Sequence, residues 1–108
     1  MRTSENFSCQ IIKLESELLI SLLGDLDMYT VSNLQELIWS HLTPEIKGAV
    51  IDCDWVQYVD STFLQLITRM ASQLETVKVI NASRTIRKIF DITGLSSFLA
   101  DDYPSDTH

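Results

Sequence analysis

The stretch GAVIDCDWVQYVDSTFLQLITRMASQLETVKVI, residues 48–80, decides the fold. It opens with Gly48–Asp52, a continuous apolar run ending in a carboxylate, which is typical of a strand buried on both faces of an open α/β sheet. Apolar residues at helical spacing follow, behind three residue types suited to a helix N-terminus, Asp60, Ser61 and Thr62. The run Thr76–Ile80 is typical of a further strand. Strand, helix and strand in this order predict a parallel crossover in an α/β sheet.

The flanking sequence extends this sheet on both sides. Two apolar-rich runs, Phe7–Leu14 and Glu17–Leu23, are separated by Glu15-Ser16 and predict an antiparallel hairpin. From Val31 the apolar positions change to helical spacing behind Thr30 as a candidate N-cap, and this helix ends before Pro44. Beyond the central stretch, the pattern predicts a helix capped by Ser83 that stops near Gly94, and then an edge strand or short helix over residues 95–100.

Length and composition predict one domain over residues 1–108, with a core of about 7–100 and a mobile acidic tail over 101–108. A formal net charge of -7 would repel nucleic acid. Acidic residues interrupt every apolar run, so no membrane span and no secretory signal are expected, and we predict a cytoplasmic protein. Cys9 and Cys53 lack metal-ligand or redox spacing, so they are expected to be reduced thiols, and no metal or cofactor is expected.

The loops after Asp52 and after Ile80 are where functional groups are expected, because such groups gather at the carboxyl ends of parallel strands. The first of these loops delivers the Ser61 hydroxyl to the first turn of the second helix. A helix N-terminus favours a phosphate by about 0.3 to 1 kcal/mol. From local spacing alone, the simpler interpretation is that Asp60, Ser61 or Thr62 merely caps the helix.

Three motifs occur in order at residues 24–30, 59–64 and 87–95, and they resemble those of bacterial anti-sigma factor antagonists, the STAS domain family. Val59-Asp60-Ser61-Thr62-Phe63-Leu64 is similar to the family's phosphoacceptor loop, which carries Asp-Ser-[Ser/Thr]-Gly-Leu. Gly24-Asp25-Leu26-Asp27, followed by Thr30, resembles the segment after the family's second strand, and residues 87–95, RKIFDITGL, resemble its late helix. The resemblance covers about residues 9–98. It implies a single STAS-like domain, with a central mixed β-sheet opened by an antiparallel hairpin and helices packed mainly on one face.

The same resemblance implies a phosphorylation-switched protein-interaction module without catalytic residues of its own. Ser61 would be the phosphoacceptor and Thr62 a secondary one, phosphorylated by an anti-sigma-type serine/threonine kinase and restored by a PP2C-like phosphatase. The partner-facing surface would include Asp25, Asp27, Met28, Tyr29, Asp60, Thr62 and Phe63. A phosphate adds about -1.5 to -2 charges at pH 7, which would weaken a partner's hold on this acidic surface.

Phe63 is a departure from the family pattern, because it replaces the glycine that follows the two hydroxyl residues. It is either an anchor in a partner groove or ordinary core, and its helical spacing with Ile67 and Met70 favours the core. The departure leaves room for a non-switching STAS scaffold in a signalling complex. A homodimer is also left open.

Two other classes of protein, an enzyme and a receiver-like domain, fit the sequence less well. An enzyme lacks support, because no nucleophile–base motif is present and His41 is placed on a helix. A receiver-like domain phosphorylated on Asp52 would be expected to end its last strand with lysine, whereas Asn81 follows the strand Thr76–Ile80.

Overall fold

The structure, a computed structural model, describes residues 7–100, so the predicted tail over 101–108 lies outside the described residues. Its strands are β1 (Ser8–Leu14), β2 (Glu17–Leu26), β3 (Gly48–Val59) and β4 (Thr76–Ile80). Its helices are α1 (Met28–Trp39), α2 (Ser61–Gln73) and α3 (Arg84–Ile92), followed by one 3-10 turn, Ser96–Phe98.

The strands form one mixed sheet in the order β1-β2-β3-β4. The hairpin β1–β2 is antiparallel, from Ser8 opposite Leu23 to Leu14 opposite Glu17, and Glu15 makes its turn with a φ of 58°. The other two pairings, β2–β3 and β3–β4, are parallel. The predicted α/β fold with an antiparallel hairpin is therefore confirmed.

One face of the sheet carries the core. Side chains of alternate strand residues on this face are buried against the helices, among them Leu18, Ile20, Ile51, Val77 and Val79. The opposite face is open, and it exposes apolar side chains of β1, β2 and β3, namely Ile12, Leu14, Leu23, Trp55 and Tyr58. The helices thus pack on one face, as expected.

Two strands are longer than the sequence predicts. β2 ends at Leu26 instead of Leu23, and β3 continues past Asp52 to Val59, so Asp52 lies within the strand instead of at its end. Register shifts occur between Ser21 and Leu23 and between Gly24 and Asp25. Each such bulge inserts an extra residue, which spaces the buried positions Cys53, Val56 and Val59 three apart. A search for alternation with a period of two cannot detect a strand of this kind.

The first helix also begins earlier than predicted. Its N-cap is Asp27, and Thr30 is the third residue of the helix instead of its cap. The prediction placed the cap at Thr30 because the apolar period starts only at Val31. The structure selects Asp60 from the three candidate caps of α2, and it confirms Ser83 as the cap of α3. Residues 95–100 contain the short 3-10 turn and a parallel bridge from Leu99 to Val79, so both predicted alternatives are partly present.

The two cysteines are free thiols. Burial raises the pKa of the Cys53 thiol to about 12, and burial also raises the pKa of Cys9. Because the thiolate is the reactive form, neither environment favours a nucleophile at neutral pH.

Candidate phosphoacceptor site

The site is built where β2 and β3 end side by side. Leu26 pairs with Val59 at the ends of these strands, and the backbone N–H of Asp60 donates to the carbonyl of Leu26 at 3.1 Å. Each strand runs directly into a helix, so the N-termini of α1 and α2 are neighbours at one edge of the sheet. The sequence-predicted residues from the two motifs are thereby brought together.

Gly24 directs the first motif into this position. Its φ of 111° lies in a region that residues with a Cβ rarely adopt, and it lies next to the second register shift. The shift turns the end of β2 so that Asp25 is exposed and Leu26 is buried. This glycine is therefore required for the path of the chain into the site.

Asp27 and Thr30 form a reciprocal capping box at the start of α1. An Asp27 carboxylate oxygen accepts the backbone N–H groups of Tyr29 and Thr30, both at 3.0 Å. In return, the Thr30 hydroxyl accepts the Asp27 N–H at 3.0 Å and donates to the carbonyl of Asp25 at 2.9 Å. Thr30 is 7% exposed, so its hydroxyl is largely shielded from water, whereas the bond from the Tyr29 N–H is exposed. The carboxylate of Asp27 is thus fixed in place at the edge of the site.

Asp60 plays the corresponding part at the start of α2. One oxygen of its carboxylate accepts the backbone N–H of Thr62 at 2.9 Å and also accepts the Thr62 hydroxyl. Ser61 is exposed, and among residues 7–100 its hydroxyl has no hydrogen-bond partner. The two adjacent hydroxyls therefore differ: that of Thr62 is engaged and that of Ser61 is available.

The aromatic and sulfur side chains of the site divide into exposed and buried groups. Met28 and Tyr29 are 57% and 70% exposed in the first turn of α1. Phe63 is fully buried and packs edge-on against Phe90, with ring centroids 6.4 Å apart. The structure therefore places Phe63 in the core, and its side chain is not available as a partner anchor.

Two exposed aromatic residues lie outside the motifs that the sequence analysis singled out. Trp55 and Tyr58 are 69% and 51% exposed on the open face of the sheet. Tyr58 lies directly opposite Asp25, next to the last residue pair of β2 and β3. The bulges decide this exposure, and no local sequence signal reports them.

A groove lies beside Ser61 between α1 and α2. Its volume is about 420 Å³, and Met28, Val31, Thr62 and Gln65 are among the residues that line it. The Arg69 guanidinium donates to the side-chain oxygen of Gln35 at 3.1 Å and so bridges the two helices. The groove shares Met28 and Thr62 with the partner-facing residues that the resemblance implies.

The structure also shows the surroundings of Asp52 and His41, the residues considered for a receiver-like domain and for an enzyme. Asp52 accepts hydrogen bonds from the Asn81 amide and the Asp54 N–H, both at 3.0 Å, within β3 instead of at its end. His41 Nδ1 lies 2.9 Å from the Leu37 carbonyl, at the end of α1. Within residues 7–100, no three acidic, histidine or cysteine side chains are grouped to hold a metal ion. No helix in this part of the chain is both long and apolar enough to cross a membrane.

These features define a small α/β domain in which two capped helices begin beside an exposed hydroxyl. The sequence profile of the family described as "Mlab, STAS domain" matches residues 9–100. The chain therefore belongs to the STAS domain family.

Individual relatives agree with this assignment. The chain is 29% identical over 80 residues to the anti-sigma-B factor antagonist of Staphylococcus aureus, an alignment that covers 70% of this chain and 74% of the relative. An anti-sigma factor antagonist from Mycobacterium paratuberculosis shares the fold, with a TM-score of 0.79, 20% identity, and coverage of 97% of this chain and 92% of the other.

The anti-sigma factor antagonist SpoIIAA also has this fold. Its unphosphorylated form superposes with a TM-score of 0.78 at 21% identity, covering 86% of both chains. The phosphorylated form, from Bacillus, gives 0.71 at the same identity, covering 86% of this chain and 89% of the other. These structural likenesses confirm the fold predicted from the three motifs.

Proposed function

We propose that this chain is an anti-sigma factor antagonist that acts as a phosphorylation switch in the cytoplasm. Unphosphorylated, it binds an anti-sigma-type serine/threonine kinase; phosphorylation of Ser61 releases it, and a PP2C-like phosphatase restores binding. The relatives are named as regulators and not as enzymes, which supports a binding role. The observation that carries the proposal is the exposed Ser61 hydroxyl at the first position of α2.

The electrostatics of the site support a switch that needs no refolding. A phosphate on Ser61 would lie at the N-terminus of α2, where the helix dipole and free N–H groups favour negative charge. The same phosphate would add about -1.5 to -2 charges beside Asp60 and near Asp27. Like charges forced together across an interface cost several kcal/mol, and each 1.4 kcal/mol is about tenfold in affinity. The charge acts on the partner and leaves the fold intact.

The neighbouring residues would make the partner surface. Asp25, Asp27, Met28, Tyr29 and Asp60 are all at the edge that carries Ser61, and the groove between α1 and α2 continues from it. Thr62 would be the poorer acceptor, because its hydroxyl is already held by Asp60. For Phe63, only the backbone would face a partner, since the side chain is in the core.

One observation favours a second candidate, a non-switching scaffold. Phe63 stands where the family pattern has glycine, so the partner's approach at this point would differ from that in a glycine-containing relative. A scaffold of this kind would bind its partner at the same surface without cycling through phosphorylation.

The test is phosphosite mass spectrometry on the chain isolated from its native cells under two growth conditions. Wild type is compared with Ser61→Ala and with Thr62→Ala, which removes the adjacent hydroxyl. We expect a phosphate on Ser61 whose occupancy changes with conditions, which is lost in Ser61→Ala and kept in Thr62→Ala. Partners captured by wild type should bind the Ser61→Asp variant at least about tenfold more weakly.

Two results would contradict the switch. One is the absence of phosphate on Ser61 in both conditions together with unchanged partner binding by the Ser61→Asp variant. That result would favour the non-switching scaffold. The other is a phosphate found on Thr62 in preference to Ser61, which would contradict the role given to Asp60.

A further inference from the structure

The strand β1 forms an outer edge of the sheet. It pairs with β2 on one side, and among residues 7–100 no strand pairs with its other side. The opposite edge, β4, is partly covered, because Leu99 bridges Val79 and the Ala100 N–H donates to the Val79 carbonyl at 3.1 Å. An unpaired edge presents a row of backbone donors and acceptors that another strand can meet.

The edge at β1 lacks the features that usually prevent such pairing. All seven residues pair with β2 in continuous register, so no bulge twists the edge away, and the strand contains no proline. Its one charged residue, Lys13, is paired with Glu45. Ile12 and Leu14 remain 43% and 56% exposed on the open face.

We propose that a second copy of the chain pairs with this edge, β1 against β1, in an antiparallel arrangement centred on Ile11. The strand runs from Ser8 to Leu14 and its midpoint is Ile11, so a two-fold axis that passes between Ile11 and its copy aligns all seven residues. The two sheets then continue as one sheet of eight strands. All helices remain on the same face, because an axis perpendicular to the sheet keeps each face continuous.

The side chains of β1 are self-complementary in this register. Ile11 lies opposite its own copy, and Ile12 lies diagonally across from its copy, within reach of apolar contact. Lys13 lies opposite Cys9 of the second copy, so no like charges face each other. Other registers that keep the faces matched leave residues at the ends of the strand unpaired.

The size of the contact predicts a weak dimer. Seven residues at about 3.3 Å each give an edge of about 23 Å. The area buried along such an edge falls in the class below about 1,200 Å², which is typical of transient complexes. Each copy carries a net charge of -7, so added salt should strengthen the association by screening the repulsion.

Sedimentation velocity tests whether the chain forms dimers through the β1 edge. With protein from about 1 to about 500 μM, a range suited to weak complexes, wild type should shift from monomer to dimer, more readily at high salt. Ile12→Lys should weaken the dimer about tenfold or more, because two lysines would meet near the axis. Leu23→Lys is the matched control: Leu23 is 44% exposed on the same face but lies on β2, away from the edge, so the dimer should persist.

Disulfide formation tests the register. In a Cys9→Ser background, Ile11→Cys should cross-link to its copy under mild oxidation, because opposed residues have Cα atoms about 4.5–5.5 Å apart, within disulfide range. Lys13→Cys in the same background should not, because its copy is offset by about 13 Å along the strand. Circular dichroism checks that each variant is folded.

Three results would overturn the proposal: a monomer at every concentration and salt, equal loss of the dimer in Leu23→Lys, or a stronger cross-link in the Lys13→Cys chain. The edge is separate from Ser61, so none of these outcomes bears on the proposed switch.

Discussion

Ser61 and Thr62 are neighbours with the same functional group, yet their surroundings make them chemically different. Asp60 accepts both the backbone N–H and the hydroxyl of Thr62, which holds that side chain against the cap. Ser61, one residue earlier, is exposed, and its hydroxyl has no hydrogen-bond partner within residues 7–100. The proposed preference for Ser61 over Thr62 as phosphoacceptor therefore rests on one carboxylate in the first turn of a helix.

Phe63 is the residue at which this chain departs most from its family pattern, and its burial predicts a large effect on stability. Phe63→Ala should lower the free energy of unfolding by about 3–5 kcal/mol, because it removes a fully buried ring that packs against Phe90. Phe63→Leu should cost less, since much of the volume is kept. Urea unfolding followed by circular dichroism gives both values.

Tyr58→Ala is the control for this experiment, because Tyr58 is also aromatic but is 51% exposed. It should cost about 1 kcal/mol or less. Equal costs for Phe63→Ala and Tyr58→Ala would contradict the placement of Phe63 in the core.

At the scale of elements, the site depends on where two strands end and two helices begin. The register shifts in the β2–β3 pair bring Asp27 and Asp60 to adjacent positions, each with extended backbone and each capping its helix. Sequence patterns placed the cap of α2 at Asp60, Ser61 or Thr62, because these residues precede an apolar helical period. They missed the cap of α1, because exposed Met28 and Tyr29 separate Asp27 from the first buried positions.

The capping box at α1 makes a prediction about stability. Asp27→Ala should destabilise the chain by about 1 kcal/mol, because the N–H groups of Tyr29 and Thr30 lose their acceptor. Asp27→Asn keeps an acceptor oxygen and should retain most of the stability. Urea midpoints measured side by side distinguish the two, and equal losses in both variants would show that charge, and not capping, is what matters.

At the scale of the whole molecule, helices cover one face of the sheet, and the two candidate interaction surfaces lie at its edges. The core runs from Leu18 to Leu99 and includes residues of every strand from β2 to β4 and of all three helices. The candidate phosphoacceptor site lies at the carboxyl edge of this core. The proposed pairing strand, β1, lies at its lateral edge.

The extent of the core predicts that residues 7–100 fold as one unit. A chain trimmed to these residues should unfold in a single cooperative transition, because every residue of the buried cluster is retained. Its thermal midpoint should stay within about 4 °C of the full chain, which corresponds to less than about 1 kcal/mol. Differential scanning calorimetry measures both properties, and a broad transition or a larger fall in the midpoint would contradict the assigned core.

The amino-acid sequence by itself determined the order of strands and helices, the antiparallel hairpin, the start of α2 and the family. Each of these leaves a local signal, such as the apolar run Gly48–Asp52 or the Asp60-Ser61-Thr62 start of a helix. Only the tertiary structure decided that β3 reaches Val59, that Asp27 caps α1, which of three residues caps α2 and that Trp55 is exposed. The physical reason is that bulges, burial and the covered face of a sheet arise from pairing between distant segments, which local periodicity does not record.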